Sequence, residues 1–223
     1  KEFYSSDQTY MPGNSIPATE HSTIISWGES KESEAYDNVL KQYPTGLVAC
    51  VSDSYNILNA CNNIWGGELK DKVMSRDGTL VIRPDSGDPC EIVISVLTIL
   101  AAKFGYTINS KGYKLLPSQV RIIQGDGINL GSIRNILQNM DDLGWSADNI
   151  TFGMGGALLQ RVNRDQLNFA IKCSNVVVNG KEYEVCKKPI GDSQKKSKSG
   201  RLSLVKDADG ILMTINQKEL NQQ

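Results

Sequence analysis

A cation and an anion flank a proline in the middle of the chain. Arg83 and Asp85 lie on either side of Pro84, directly after the apolar, β-branched run TLVI. Such a run predicts a short buried strand, so both charged residues fall at its carboxyl end. Gly87 follows, and the lack of a side chain there lets a ligand approach the backbone. The stretch therefore predicts a binding site for an anionic or planar ligand.

Three further loops repeat this arrangement. Apolar runs end at Asp53, at the triplet Gly125-Asp126-Gly127 and at the cluster Gly153-Met154-Gly155-Gly156. Each run predicts a strand, and a helical pattern follows each of them. Parallel α/β folds bind ligands at the carboxyl ends of their strands. We therefore expect the four loops to meet in one shared site.

The three aspartates have a functional and a structural interpretation. Converging carboxylates can hold a divalent cation, directly or through water, and can bind the hydroxyls of a sugar. Asp53 and Asp126 could instead cap the helices that follow them. Arg83 can bond an anion at two points or stack on a ring, and its structural alternative is an ion pair with Asp85.

Phosphate chemistry is suggested by the glycine cluster and by the only histidine. Gly155 and Gly156 precede a helical pattern, so free backbone N–H groups there can bind a phosphate. His21 could act as a general base or accept a phosphoryl group, although a lone histidine is as compatible with a structural role. Together these groups predict transfer chemistry on a phosphorylated sugar.

The elements that position these residues alternate between strand and helix. Helices are predicted at 30–43, 55–65, 90–104, 130–143 and 157–162. Strands are predicted at 47–52, 80–83, 120–124, 150–152 and 169–178, after a loop at 1–20. Beyond Asn179-Gly180, a hairpin signal, the segments 181–187 and 202–205 predict antiparallel strands. The βα units are fewer than the eight of a closed barrel, so the sheet is open or the chain is a truncated barrel, and we favour the latter.

Composition excludes several classes of protein. The net charge of −1 over 223 residues argues against a nucleic-acid-binding protein. No apolar run approaches the roughly 18 residues of a membrane span. The five cysteines include no CxxC pair, which predicts reduced thiols and a cytoplasmic protein.

Seven segments resemble one enzyme family in the same order. They are PATEHSTI (17–24), VSDSYNILNAC (51–61), VIRPDSGDP (81–89), NSKGYKLLP (109–117), IIQGDGIN (122–129), FGMGGALLQ (152–160) and KSGRLSL (198–204). The chain is similar to the nicotinate/nicotinamide phosphoribosyltransferase family, with the nicotinamide-using members the better match. The resemblance implies an α/β fold, a partial (β/α) barrel of the type II phosphoribosyltransferase kind, with a smaller, mostly β region at its C-terminal end.

The resemblance also implies roles for individual residues. His21 corresponds to a phosphorylated histidine, and Asp53 and Asp85 to catalytic acids near magnesium. The residues that correspond to substrate-binding positions are Arg83, Gly125, Asp126, Gly155, Gly156, Arg164, Lys172 and Lys187, with Lys195 a looser candidate. In the family the basic residues at 164, 172 and 187 reach pyrophosphate from the partner subunit.

The implied reaction joins nicotinamide and 5-phosphoribosyl 1-pyrophosphate into nicotinamide mononucleotide and pyrophosphate, with Mg²⁺ and with ATP as a coupled co-substrate. The implied assembly is a homodimer with its site at the subunit interface. We expect a catalytic barrel at 1–178 and part of a mostly β domain at 179–223. Part of the nicotinamide pocket precedes Lys1 in the family, so we expect an N-terminal portion of the parent to be missing and the isolated chain to be weak or inactive. The alternatives are a nicotinate-using enzyme and a non-catalytic binding fragment of the same fold.

Overall fold

The computed structural model describes residue 9 and residues 13–155, 170–190 and 196–220. Its α-helices are α1 (His21–Ile25), α2 (Glu32–Gln42), α3 (Ile57–Asn59), α4 (Lys70–Met74), α5 (Pro89–Phe104), α6 (Leu130–Asp142) and α7 (Gln217–Leu220). A π-helix spans Ala60–Glu68, and short 3₁₀ turns lie at Glu29–Lys31 and Ala147–Asn149. The strands are β1 (Thr45–Val51), β2 (Asp77–Arg83), β3 (Thr107–Ile108), β4 (Lys114–Leu115), β5 (Val120–Gln124), β6 (Ile150–Phe152), β7 (Asn175–Val178), β8 (Lys181–Glu184), β9 (Leu202–Lys206) and β10 (Leu212–Asn216).

The largest sheet of the described residues has four parallel strands in the order β1-β2-β5-β6. The order follows the chain, so each strand pairs with the next long strand through a connection that contains a helix. A doubly wound sheet would instead reverse its order at a switch point. The α/β class is therefore confirmed, while closure into a partial barrel stays a prediction.

The core lies between this sheet and its helices. The interior of β2 (Leu80, Val81 and Ile82) is at most 3% exposed, because a central parallel strand is covered on both faces. The apolar side of α5 contributes Val93, Val96, Leu97 and Leu100, all fully buried. The helical period predicted in this segment is confirmed, and Asp88 caps the helix by accepting from the backbone N–H groups of Cys90 and Glu91.

The helix predicted at 55–65 is wrong in type and extent. Only Ile57–Asn59 is α-helical, and the chain then widens into the π-helix, which continues through Gly66 and Gly67 instead of ending there. An added Cβ at Gly66 would lie 2.5 Å from Lys103 Cγ and 2.7 Å from the Cys61 carbonyl oxygen. The glycine at this position thus permits close packing on α5 and does not end the helix.

The C-terminal segment forms two hairpins. In the first, β7 pairs with β8 across Asn179 and Gly180, whose φ angles of 51° and 78° confirm the predicted turn. In the second, β9 pairs with β10, a strand that the sequence did not predict. The strands predicted at 169–178 and 181–187 are too long, since within the described residues only 175–178 and 181–184 are extended into ladders. The boundary expected at 178 lies at the end of β7, inside the first hairpin, and the division into domains stays a prediction.

Two smaller expectations also differ. The connection at 105–119 contains the short hairpin β3–β4. In the described part of the loop expected at 1–20, Ala18 pairs with Ala49 of β1. The helix expected at 157–162 lies outside the described residues. None of the described helices is long and apolar enough to span a bilayer.

Candidate functional site

The register of the first two strands brings their C-terminal loops level with each other. Val51 of β1 pairs with Arg83 of β2, so Asp53 and Asp85 each follow two residues after a paired position. The Ser52 backbone N–H donates to the Arg83 carbonyl oxygen at 3.0 Å and extends the pairing by one step. The predicted meeting of these two loops at one sheet edge is confirmed.

His21 reaches the same edge through a short stretch that lies beside β1. The Ala49 N–H donates to the Pro17 carbonyl oxygen at 2.8 Å, and the Thr19 N–H donates to the Ala49 carbonyl oxygen at 2.9 Å. The Thr19 hydroxyl oxygen accepts from the Val51 N–H at 2.9 Å. Because this stretch runs parallel to β1, the start of α1 lies beside the strand's C-terminal loop.

Four ionisable side chains form the centre of the site. His21 Nε2 lies 3.0 Å from Asp53 Oδ1, and His21 Nδ1 lies 3.8 Å from Asp85 Oδ2. Lys187 Nζ lies 3.6 Å from Asp53 Oδ2 and 3.5 Å from His21 Nε2. His21, Asp53 and Lys187 are 6%, 2% and 4% exposed, so these charges interact with little screening by water. We name His21, Asp53, Asp85 and Lys187 the charged cluster.

The pKa values of Asp53 and Asp85 are shifted in opposite directions by their surroundings. Burial alone would raise the pKa of Asp53, but the hydrogen bond from His21, the charge of Lys187 and the hydroxyl of Ser86 lower it to about 2. Burial raises the pKa of Asp85, and the negative charges of Asp53 and Asp126 add to that rise against the opposing effect of Arg83. Asp53 therefore stays ionised, while the carboxylate of Asp85 would be stabilised by a cation bound beside it.

The capping alternative is wrong for both Asp53 and Asp126. Asn56 caps α3 by accepting from the Asn59 N–H, and Asn129 caps α6 by accepting from the N–H groups of Gly131 and Ser132. The two aspartates are thus left for other interactions, and Asp126 contributes charge to the surroundings of Asp85.

Ser86 extends the site toward solvent. Its hydroxyl donates to Asp53 Oδ2 at 2.5 Å, so the two Asp53 oxygens have different partners. A half-open cavity of about 430 Å³ begins beside these two residues, with Tyr55, Ile92 and Pro189 among its lining. The cavity gives a ligand access to the edge of the charged cluster.

Arg83 is half-buried at the end of β2 and keeps donor capacity. Among the described residues, no acceptor lies within hydrogen-bond distance of its buried Nε. A buried, unsatisfied guanidinium nitrogen is costly without a partner, so it favours a ligand that supplies an acceptor.

The loops after β5 and β6 pack closely against each other. The Gly153 N–H donates to the Gln124 carbonyl oxygen at 2.9 Å, and a Cβ atom at Gly125 would lie 3.7 Å from the Gly153 carbonyl oxygen. The buried Gln124 side chain accepts from the N–H groups of Gly125 and Asp126 at 2.8 and 3.1 Å. The side-chain amide thereby fixes the loop that carries Asp126.

Comparison with known proteins decides the family. The model of the nicotinate phosphoribosyltransferase (NAPRTase) family matches residues 3–222. The chain belongs to this family. Over 201 residues it is 52% identical to the nicotinamide phosphoribosyltransferase of Xanthomonas campestris pv. campestris, a match that covers 89% of this chain and 43% of that protein.

More distant relatives carry the same name. The nicotinamide phosphoribosyltransferase of Mycoplasma pneumoniae is 33% identical over 216 residues, which cover 90% of this chain and 48% of that protein. The enzyme of that name from Acinetobacter baylyi is 32% identical over 222 residues, covering 90% and 44%. The chain thus spans less than half the length of the curated relatives it matches.

The other predicted site residues either show no contact with the charged cluster or lie outside the described residues, except for Lys187. Lys172 and Gly155 are exposed, and a side chain at Gly155 would meet no described atom within 4 Å. Gly156, Arg164 and Lys195 lie outside the described residues, and their roles stay predictions. Lys187, for which the family resemblance implies a role in the partner's site, contacts His21 and Asp53 of its own chain.

The donor set fits magnesium at Asp85 better than at Asp53. Both oxygens of Asp53 already have partners, whereas the Asp85 side chain is 32% exposed and near the charge of Asp126. In the described residues no three His, Cys, Asp or Glu side chains form a complete metal site. Mg²⁺ needs only one or two protein carboxylates when water and phosphate complete its shell, so Asp85 would be the residue to hold it, and Asp53 would reach it only through water.

Sequence reasoning missed Ser86, Thr19 and the hydrogen bonds that hold Asp53. Ser86 lies in the same strand-end loop as Arg83 and Asp85, and a hydroxyl directly after a strand-end aspartate is a sequence signal for a contact of this kind. Thr19 acts through a pairing with β1 that no local pattern predicts, since it depends on register between distant segments.

Proposed function

We propose that the full-length protein is a pentosyltransferase that transfers the phosphoribosyl group of 5-phosphoribosyl 1-pyrophosphate to nicotinamide. The products are nicotinamide mononucleotide and pyrophosphate, a step of NAD salvage. Family membership and the name shared by its relatives support the reaction, and the charged cluster is the observation that carries it. The proposal includes a cytoplasmic homodimer with its site at the subunit interface, as the family resemblance implies.

In this proposal His21 accepts the γ-phosphoryl group of ATP. An ionised Asp53 can only accept, so its 3.0 Å contact with Nε2 assigns the proton to Nε2 and the lone pair of the neutral imidazole to Nδ1. Attack by Nδ1 forms an N–P bond as the bond from the γ-phosphorus to the leaving ADP oxygen breaks. The imidazole becomes cationic, and the Asp53 carboxylate, held ionised by its low pKa of about 2, stabilises that charge.

Lys187 and Arg83 supply the positive charge that polyphosphates require. The Lys187 ammonium lies 3.5 Å from His21 Nε2, so it adds positive charge beside the reacting ring. Arg83 offers its Nε and the rest of its guanidinium to the nicotinamide ring or the phosphoribosyl group. Magnesium, held at Asp85, would neutralise charge on the pyrophosphate.

The remaining substrate contacts are proposed for the loops after β5 and β6 and for the basic residues beyond them. Asp126 and Gly125 suit the ribose hydroxyls, and the glycine cluster suits the 5′-phosphate. The substrate-binding residues of this proposal are Arg83, Gly125, Asp126, Gly155, Gly156, Arg164, Lys172 and Lys187.

The test is a product assay on the full-length gene product with 5-phosphoribosyl 1-pyrophosphate, ATP and Mg²⁺. Nicotinamide and nicotinate are supplied side by side, and His21→Gln serves as the matched variant. We expect mononucleotide from nicotinamide, and in parallel a base-stable, acid-labile phosphoryl group on the wild type that His21→Gln lacks.

Each of the other outcomes would indicate a different function. Product from nicotinate alone would retain the phosphoribosyl chemistry and replace the base. No product from either base would favour a binding protein of the same fold. Equal phosphorylation of His21→Gln would overturn the role of His21 while leaving the transfer reaction intact.

A further inference from the structure

Ser52, directly before Asp53, is held from three sides. Its hydroxyl donates to the Cys50 carbonyl oxygen at 3.0 Å, and its backbone N–H donates to the Arg83 carbonyl oxygen at 3.0 Å. The same hydroxyl accepts from the indole N–H of Trp65 at 3.0 Å. Ser52 is fully buried, so these bonds do not compete with water.

The Trp65 ring is also held by packing. Its ring is fully buried and stacks on Tyr36 with the centroids 4.4 Å apart and the planes at 17°. The Tyr36 hydroxyl in turn donates to Glu32 Oε1 at 2.8 Å, and Glu32 is only 6% exposed. The indole N–H therefore has a defined direction, set by packing that extends to α2.

The π-helix explains why Trp65 lies beneath the loop that follows β1. The widened turn presents Trp65 beside Gly66, where the backbone packs on α5 too closely for a side chain. A π-helix, with its i→i+5 hydrogen bonds, is rare, and such segments occur frequently at functional sites. Here the π-helix directs the indole N–H of Trp65 toward Ser52, the residue before Asp53.

We propose that Trp65 is a positioning residue for the charged cluster: through its bond to Ser52 it fixes Asp53, and through Asp53 it fixes which nitrogen of His21 carries the proton. This proposal rests on the proposed function in that His21 is taken as the reacting residue. Trp65 itself lies beneath the site and contacts no reacting group.

The physical reason is the geometry of the Asp53–His21 bond. Asp53 selects the Nε2–H tautomer only while Oδ1 lies within hydrogen-bond distance of Nε2. Loss of the indole donor lets the loop after β1 shift, because the Ser52 hydroxyl then loses the bond that joins it to the π-helix. A shift of Asp53 allows the Nδ1–H tautomer, in which the nitrogen facing Asp85 no longer has a lone pair.

The experiment measures the His21 tautomer ratio by ¹⁵N NMR at one alkaline pH on the full-length gene product labelled at histidine. His21→Gln supplies the difference spectrum that assigns the signals. The test variants are Trp65→Phe, which keeps a stacking ring without the donor, and Ser52→Ala, which removes the acceptor. We expect the ratio of Nε2–H to Nδ1–H to fall roughly fivefold in each, the effect of losing one net hydrogen bond.

Trp145→Phe is the matched control. Trp145 is 5% exposed, and it lies before β6 at the opposite end of the sheet, with Lys114 Nζ over its ring at 4.5 Å. The Trp145→Phe variant loses the same ring volume as Trp65→Phe. Its His21 tautomer ratio should equal that of the wild type. The proposal is wrong if Trp65→Phe leaves the tautomer ratio unchanged and lowers the thermal midpoint only as much as Trp145→Phe does. Trp65 would then serve packing alone.

The double variant separates a shared bond from two independent effects. If Trp65 acts through Ser52, Trp65→Phe combined with Ser52→Ala should change the ratio no more than either alone, whereas additive effects would contradict the proposal. Should Trp65→Phe fail to fold, Ser52→Ala decides alone by whether the ratio falls.

Phosphorylation provides the second readout and keeps the two proposals distinct. We expect the rate of His21 phosphorylation by ATP to fall about 10- to 100-fold in both test variants, the cost of misplacing a reacting group. A shifted tautomer ratio in a protein whose wild type takes up no phosphoryl group would support the positioning role and refute the proposed phosphorylation of His21. An unshifted ratio in an active, phosphorylated protein would do the reverse.

Discussion

Asp53 gives its two carboxylate oxygens to different partners. Oδ1 accepts from His21 at 3.0 Å, while Oδ2 accepts from Ser86 at 2.5 Å and lies 3.6 Å from Lys187 Nζ. A carboxylate that is 2% exposed can stay ionised only because its partners outweigh the cost of burial. The same contacts that orient His21 therefore contribute to the stability of the fold.

The first prediction concerns Asp53→Asn and acid stability. The pKa of Asp53 is lowered to about 2 in the folded protein, so its contribution is present above the unfolded value of 3.8 and is lost as pH falls toward 2. We expect the variant to be less stable by about 2 kcal/mol at pH 5 to 7, with the deficit closing between pH 4 and 2. Urea unfolding across this range measures it.

Asp209→Asn is the control, since Asp209 is exposed in the turn before β10. Its unfolding free energy should parallel that of the wild type at every pH. A deficit in Asp53→Asn that stayed constant down to pH 2 would show that the loss comes from packing and not from the ionised carboxylate.

The second prediction concerns Arg83→Ala and ligand affinity. The buried Nε without a partner among the described residues favours an acceptor from a ligand, so we expect nicotinamide mononucleotide to bind about 10- to 100-fold more weakly. Isothermal titration calorimetry on the full-length gene product gives the dissociation constants. Arg134→Ala, at an exposed position on α6, is the control and should bind as the wild type does. Equal affinity in Arg83→Ala would place Arg83 away from the ligand.

Among the elements, predictability from sequence follows how local each cause is. The strands at β1, β2, β5 and β6 are predictable because each is a short apolar run closed by a glycine, a proline or an aspartate. Their parallel pairing brings the strand-end residues together, which is why Asp53, Arg83 and Asp85 are found from the sequence.

The elements that sequence analysis missed depend on distant contacts. Helix α1 has five residues, too few to show a helical period, and its place beside Asp53 follows from pairing of the preceding stretch with β1. The π-helix has the apolar spacing of an α-helix, and what distinguishes it is the packing of Gly66 on α5. The position of Lys187 beside His21 depends on packing of the segment after β8 against α1, a contact between distant parts of the chain that no local pattern encodes.

The third prediction compares two adjacent glycines of the π-helix. A Cβ at Gly66 would lie 2.5 Å from Lys103 Cγ and 2.7 Å from the Cys61 carbonyl oxygen, whereas a Cβ at Gly67 would come no closer than 3.7 Å to the Asn62 carbonyl oxygen. We expect Gly66→Ala to lower the free energy of unfolding by about 1–3 kcal/mol, because the backbone must shift. Gly67→Ala should be neutral or slightly stabilising, and urea unfolding compares them. Equal stability of the two variants would show that the close approach at Gly66 is not limiting.

At the scale of the whole molecule, the charged cluster joins residues far apart in the chain. His21 and Lys187 are 166 positions apart, yet their side chains lie 3.5 Å from each other. A small apolar cluster of Ile25, Tyr55 and Val185 accompanies this contact, because α1, the loop after β1 and the segment after β8 pack together there. The C-terminal segment thus helps to build the site by carrying Lys187 to its edge.

The family resemblance adds a second subunit to this picture, and Lys172 allows a test of it. Lys172 is exposed, unlike Lys187, and we propose that it serves the site of the partner subunit. In a symmetric dimer each site would then combine His21 from one subunit with Lys172 from the other. His21→Gln and Lys172→Ala would each inactivate both sites of their own homodimers, but a mixed dimer would contain one intact site and one doubly altered site.

The fourth prediction is therefore complementation. After subunit exchange between full-length His21→Gln and Lys172→Ala, half of the dimers are mixed and half of their sites are intact, so we expect about a quarter of the wild-type rate of mononucleotide formation to return. The control mixes His21→Gln with Asp53→Asn, whose altered residues lie in the same cluster of one chain, and it should recover no activity. A mixture of His21→Gln and Lys172→Ala that stayed as inactive as the control, with exchange demonstrated by differently tagged subunits, would place both residues in the site of a single chain. Such a result would leave the chemistry of His21 intact and remove Lys172 from the subunit interface.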